Sequence, residues 1–199
     1  MDETQASNAS ELSSERLLLR RWRASDAEPF AAINADPRVM ELLPSSLTRA
    51  ESDSYIQSIE AHFDAHRYGL WALQLRDSGE LVGLTGLNTV AFDAHFTPAV
   101  EVGWRLAHSA WGNGYATEAA RIALGFAFEQ AGLREVVSMT TTLNVRSQTV
   151  MQRIGMDRDE ADDFIHPLAA REELRAHVLY RLSADDWAAS TTAGEQRPR

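Results

Sequence analysis

The chain has no cysteine and no lysine; all nineteen basic residues among its 199 are arginine. Without a thiol there is no disulfide, no thiolate metal site and no thioester carried on the protein itself, and the composition fits a reducing compartment. Without a lysine there is no Schiff base and no phosphate loop of the lysine-containing kind. Long apolar runs are missing too. No stretch is long enough to span a bilayer and residues 1–20 lack the apolar core of a signal peptide, so a cytoplasmic location and no membrane partner are expected. A net charge of −10 removes the basic face that general nucleic-acid binding needs. The six histidines are scattered. Only His62 and His66 share helical spacing, with no acidic residue following in the metalloprotease arrangement, so no metal is expected.

What is present is an ordinary globular composition, 44% hydrophobic and 24% charged, in a chain long enough to bury its own core. The first fourteen residues and residues 188–199 are polar and aperiodic. They are expected to be disordered tails around one domain spanning 15–187. Within it "RLLLRRW" reads as a strand, followed by a helix over about 25–35 that ends near Pro37. Thr48 and Glu51 form a capping box for a helix to about His66, stopped by Gly69. "LWALQLR" and "LVGLTGLNTV" read as a hairpin and "AVEVGWRL" as the next strand. A glycine turn then leads into a helix to about Gln130, with Gly132 after its end. "LREVVSMTTT" is another strand, Asn144 opens a short helix ending at Gly155, and "RAHVLYRLS" is the last strand. The class is α+β.

The turn Gly112-Asn113-Gly114 between strand and helix aims backbone N–H groups and a helix dipole at one point, a geometry that binds phosphate. The dinucleotide fingerprint fails because position 117 is threonine where a third glycine is needed. Taken alone, a two-glycine turn fits an ordinary connection at least as well. Strand alternation puts Glu101, Gly103 and Arg105 on one face of "AVEVGWRL" and Val100, Val102, Trp104 and Leu106 on the other. Glu101 is thus either a general base or a structural partner of Arg105. Asn144 reads as a helix cap, with Ser147 at the third helical position.

Three ordered stretches, "EVGWRL", "WGNGYATEA" and "NVRSQTVMQRIGM", together resemble the GCN5-related N-acetyltransferases (GNAT). Within them the chain is most similar to the branch of the ribosomal-protein N-terminal acetyltransferases RimJ and RimL. The resemblance implies a single mixed, mostly antiparallel sheet of about seven strands with a central splay, flanked by about four helices. It implies acetyl-CoA as cosubstrate. The pyrophosphate would be held by backbone N–H groups of Trp111, Gly112, Asn113, Gly114, Tyr115, Ala116 and Thr117, and the pantetheine arm by Val102, Gly103, Trp104 and Asn144. Glu101 would be the base and Ser147 would lie near the thioester sulfur, as proton donor or as a simple hydrogen-bonding hydroxyl. The family's usual tyrosine, seven residues after the asparagine, is Met151 here. The implied reaction is direct attack by a primary amine, on a peptide or protein N-terminus or on a small molecule, within a ternary complex. A monomer or homodimer is expected. The alternative is a CoA-binding sensor or interaction module with little catalysis. The acidic stretch 157–163 by itself reads as a solvated loop; the resemblance implies that it and "ADPRVMELLPSS" line the acceptor's mouth, where acidic residues would favour cationic amines, peptides included.

Overall fold

The computed structural model describes residues 11–169 and 171–195. Eight strands form one sheet: β1 (Glu11–Ser13), β2 (Leu17–Arg20), β3 (Leu70–Leu75), β4 (Leu81–Thr89), β5 (Val100–Leu106), β6 (Glu135–Thr141), β7 (Phe164–Ile165) and β8 (Ala176–Ser183). Their spatial order is β1-β2-β3-β4-β5-β6-β8-β7. Every neighbouring pair is antiparallel except β5 with β6. Six α-helices accompany the sheet: α1 (Ala27–Ala35), α2 (Pro37–Met40), α3 (Arg49–His66), α4 (Tyr115–Gly125), α5 (Val145–Arg153) and α6 (Ala184–Glu195).

The class is the expected one, and the sequence undercounts both kinds of element. Glu11–Ser13 falls inside the stretch expected to be a tail, yet it pairs with β2 through Leu12↔Leu19. At the other end α6 runs through most of the second expected tail, anchored by Trp187, whose Nε1 donates to Glu129 at 3.1 Å. The first ten residues and residues 196–199 lie outside the described residues. Pro37 does not merely follow a helix end; it occupies the first turn of α2, where its missing N–H costs nothing.

Local sequence explains the helix boundaries that matter. The Thr48 side chain accepts from the Glu51 N–H while the Glu51 carboxylate accepts from the Thr48 N–H, so the capping box forms. The C-terminus of α3 is set by Arg67 and not by Gly69: Arg67 takes the left-handed conformation, φ 65, and its N–H donates to the Phe63 carbonyl at 2.8 Å. Gly69 serves another need, since a Cβ there would lie 2.8 Å from the Phe63 ring. Beyond α4 the chain continues as a π-helical segment, Phe126–Gln130, before Gly132 turns it at φ 65. Leu17, Leu19, Trp71, Leu73, Leu87, Leu124 and Val136 are fully buried and bind these elements into one core. Edge-on contacts of Trp71 with Phe63 and Phe126 tie α3 to the π-helical segment. α1 is fixed to β2 by a buried ion pair, Arg20 Nη1 to Asp26 Oδ2 at 2.7 Å and Nη2 to Oδ1 at 2.9 Å.

Candidate active site

β5 pairs with β4 along its whole length, from Gly83↔Leu106 to Thr89↔Val100. On its other side β5 meets its parallel neighbour at one register point, Glu101↔Val137, and the two strands part beyond it. Next to that point the Ser138 hydroxyl donates to the Val102 carbonyl at 2.9 Å. Strand backbones alternate their polar groups from side to side, so those of Trp104, two residues on, face the opening. The sheet is therefore split, and polar backbone along one edge of the split lacks a strand partner.

A cavity of about 490 Å³ fills the split. Glu101, Val102, Gly103, Trp104 and Arg105 of β5 form one wall; Ser138, Met139 and Thr140 of β6 form the other. The glycine turn and the start of α4 close one side, with Trp111, Gly112, Gly114, Tyr115, Ala116 and Thr117. α5 contributes Asn144, Arg146, Ser147 and Met151 among others, and the segment after α1 contributes Arg38, Val39, Glu41, Leu42 and Leu43.

The residues proposed from the sequence thus converge on one cavity, with two differences. Asn113 does not line it: the side-chain amide donates back to the carbonyls of Ala110 at 3.2 Å and Trp111 at 3.1 Å. Trp111 lines the cavity, but its N–H is not free, because a 3₁₀ turn over His108–Ala110 directs it to the His108 carbonyl at 3.2 Å. From Gly112 to Thr117 no N–H donates within the protein among the described residues. The first bond of α4 runs from the Glu118 N–H to the Gly114 carbonyl at 3.1 Å. Gly112 and Gly114, at φ 78 and 79, supply the left-handed turns that point this row of donors one way.

Glu101 sits where the strands begin to part. It is half-buried and faces the cavity, and loss of hydration pushes its carboxyl up to about 7 from an ordinary 4.5, against the opposing pull of a hydrogen bond from Asn88. The structural alternative, pairing with Arg105, does not form. Arg105 turns to Asn34, its Nη1 donating to Oδ1 at 2.7 Å. The Asn144 side chain accepts the Ser147 N–H at 3.2 Å and donates to Thr140 at 3.0 Å, which fixes the start of α5 against β6. Because the backbone of Ser147 makes the cap, its hydroxyl is left over. Met151 is buried against the core and brings no proton donor to the cavity.

Several contributors escaped the sequence reading. Arg16, ahead of β2, donates from Nη1 to the Asn113 carbonyl at 3.2 Å and from Nε to Glu118 at 2.8 Å, and stacks on Tyr115. Arg146 lies over the Trp111 ring, 4.6 Å from its centre. Arg121 and Arg153 flank a shallower depression beside the turn, bounded also by Gly114 and Thr117. None of Arg121, Arg146 and Arg153 forms an ion pair among the described residues. An all-arginine composition hides such positions, since each looks like any other surface charge until the fold gathers them.

The acidic stretch keeps to the surface and does not take the mouth-lining place that the resemblance implies. Asp162 is held by Arg181 at 2.6 Å and His95 at 3.1 Å, and Asp163 pairs with Arg158, so these charges are spent within the 157–181 region and its neighbours. None lines the cavity, whereas the segment after α1 does, as expected. Four arginines and two glutamates line it, a basic cleft in an acidic protein. Among the described residues no group of three or more histidine, aspartate or glutamate side chains is placed to hold a metal ion, and no helix is long and apolar enough to cross a membrane.

A free row of N–H groups, uncompensated arginines beside it and a split strand pair fit a long anionic thioester. Residues 16–157 match the family model described as an acetyltransferase (GNAT) domain. Among curated proteins, the FsC-acetyl coenzyme A-N(2)-transacetylase of Aspergillus fumigatus is 29% identical over 164 residues, covering 78% of this chain and 68% of that one. Among solved structures, a GNAT-family acetyltransferase from Bacillus anthracis superposes with a TM-score of 0.74 at 24% identity, over 88% of this chain and 99% of that one. An acetyltransferase from Agrobacterium tumefaciens gives 0.70 at 28% identity, over 86% and 93%. The chain belongs to the GNAT family and is an acetyl-CoA-dependent N-acetyltransferase, moving an acetyl group to an amine.

Proposed function

We propose that the acceptor is a primary amine and that Glu101 is the base that deprotonates it in the cavity between β5 and β6. The observation that carries this reading is the position of an unpaired, dehydrated carboxyl at the apex of the split, in the same cavity as the row of free N–H groups. An ammonium has no lone pair to attack a thioester. A base titrating near 7 can accept its proton directly or through water and still be ionised at neutral pH.

Acetyl-CoA supplies the activated acyl group. Gly112 to Thr117 bind its pyrophosphate through backbone donors, with Arg121, Arg146 and Arg153 adding charge nearby. The open backbone edge of β5 at Val102–Trp104 and the side chain of Asn144 take the pantetheine arm. Ser147 donates to the departing thiolate, either its own proton or that of a water it orients. With no cysteine to carry the acetyl group, the amine attacks the thioester carbon directly in a ternary complex, forming the amide bond as the C–S bond breaks.

An α-amine near pKa 8 needs about 1 kcal/mol for deprotonation at pH 7 and a lysine near 10.4 about 5, so an α-amine, of a peptide or protein N-terminus or of a small molecule, asks less of the base than a lysine side chain. Acetyl-CoA supplied with a panel of N-terminal peptides and small amines is expected to release free CoA with at least one of them. The second reading, a CoA-binding module, draws on buried Met151 in place of a proton-donating tyrosine. Tight CoA binding by calorimetry with no release on the whole panel selects it instead.

A further inference from the structure

The cavity contains a cation that the reaction as described does not use. Arg105 points to the α1–α3 side of β5, the face it shares with Glu101 by strand alternation. Its only hydrogen bond among the described residues is the one from Nη1 to Asn34 Oδ1; Nε is buried with no partner. The guanidinium lies 5.5 Å from the centre of the Tyr55 ring, which neutralises no charge. No carboxylate pairs with it among the described residues, and it is dehydrated enough that its affinity for a proton is lowered. Asn34 is itself fully buried and fixed, its Nδ2 donating to Ser52 at 2.9 Å, so Arg105 is held in place from behind.

Buried charges in proteins are paired, because an uncompensated one is costly. A preoriented guanidinium that lines a substrate cavity without a counter-ion is a binding site for one. We propose that Arg105 binds a carboxylate of the acceptor, so that the preferred substrate is an amine carrying a carboxylate remote from the amine that reacts.

The remoteness follows from the strand. Glu101 and Arg105 are four positions apart, about 13 Å along β5 at 3.3 Å per residue. An α-amino acid, whose ammonium and carboxylate share one carbon, is too short to engage both. A short peptide or an ω-amino acid spans more of the gap. The carboxylates of the acidic stretch 157–163 stay out of the cavity, so none of them opposes an anionic acceptor there. This inference rests on Glu101 marking the end of the cavity where the amine arrives.

The test compares triglycine with triglycinamide, and 6-aminohexanoate with its amide, in wild type, Arg105→Gln and Arg105→Lys. Acetylation is followed by CoA release, and binding to the CoA-loaded protein by calorimetry. In wild type the carboxylate member of a pair is expected to be favoured about ten- to a hundredfold in kcat/KM or in affinity, the scale of a charge-assisted bond in a sheltered site. Arg105→Gln should bring that ratio close to one, and Arg105→Lys should restore part of it. Equal handling of both members by wild type in both measurements overturns the inference, as does a preference that survives in Arg105→Gln. If Arg105→Gln weakens acetyl-CoA binding and leaves the preference intact, Arg105 serves the cofactor's phosphates and the inference also fails. A binding preference without acetylation keeps this inference and removes the base assignment; acetylation without a preference does the reverse.

Discussion

The Nε of Arg16 stands 2.8 Å from the Oε2 of Glu118, joining the segment before β2 to the first turn of α4 across about half the sequence. The same guanidinium donates to the Asn113 carbonyl, in the middle of the glycine turn. Ser14 reaches the other Glu118 oxygen at 2.6 Å. An ion pair this exposed adds little to global stability. Its effect is local: it holds the turn in the shape that aligns the N–H groups of Gly112 to Thr117.

Arg16→Ala should therefore separate binding from folding. Acetyl-CoA affinity is expected to fall about three- to tenfold, the worth of one or two hydrogen bonds, while the melting temperature stays nearly constant. Calorimetry and a thermal melt on the same samples decide it. A large drop in melting temperature with unchanged affinity assigns the contact to the fold instead.

For Glu101 the direction of the pKa shift gives two signs. A base works only when ionised, so kcat/KM should rise with pH through about 7 and then level. Glu101→Gln should bind acetyl-CoA normally, turn over about 10²- to 10⁴-fold more slowly and lose that rising limb. An unchanged rate removes Glu101 from its role.

The second sign concerns stability. A carboxyl whose pKa is raised by burial holds its proton more tightly folded than unfolded, so it favours folding at low pH and costs stability as pH climbs from 4.5 to about 7. At roughly 1.4 kcal/mol per pH unit the full cost above pH 7 is at most about 3.5 kcal/mol. Ligand-free Glu101→Gln should accordingly be more stable than wild type in urea at about pH 8, with the difference vanishing near pH 4.5. A variant less stable at high pH contradicts the dehydrated state of this carboxyl.

Much of this site could be read from local pattern. Alternation placed Glu101 and Gly103 on one face of a strand, and the capping box placed the start of α3, because both depend on neighbours a few residues away. What was missed depends on distant partners. β1 is three residues with no apolar period, and only the adjacent β2 edge makes it a strand. α6 is a polar sequence whose docking hinges on Trp187 meeting Phe128 and Glu129. Local pattern left Arg105 open as a partner of Glu101, and only α1, which brings Asn34, 71 residues earlier, within reach, decides against it. The acidic stretch near residue 160 looked like a substrate surface because its partners, Arg181 and His95, were not visible from the chain alone.

The turn offers a test of backbone shape without crowding. A Cβ at Gly112 would meet nothing within 4 Å, so a substitution there is opposed only by its φ of 78. Alanine in that conformation costs about 1–2 kcal/mol, and asparagine less. Gly112→Ala should relax the turn and weaken acetyl-CoA binding on the order of tenfold, with Gly112→Asn falling between it and wild type. Should asparagine bind worse than alanine, left-handed backbone is not what the ligand requires.

Ser147 and Asn144 look like one unit at the head of α5, and the hydrogen bonds divide them. Asn144 accepts the Ser147 N–H and donates to Thr140, so Asn144→Ala removes a helix cap and should cost about 1 kcal/mol of stability as well as affinity for acetyl-CoA. Ser147→Ala keeps the N–H that the cap uses and deletes only the hydroxyl, so stability should change by less than about 0.5 kcal/mol. If that hydroxyl protonates the departing thiolate, kcat should fall about tenfold or more, with acetyl-CoA affinity nearly unchanged. The loss should shrink when the leaving thiol is made more acidic, because a better leaving group needs less help from a donor. If Ser147 only holds the cofactor, affinity falls and kcat at saturation does not, whatever the thiol.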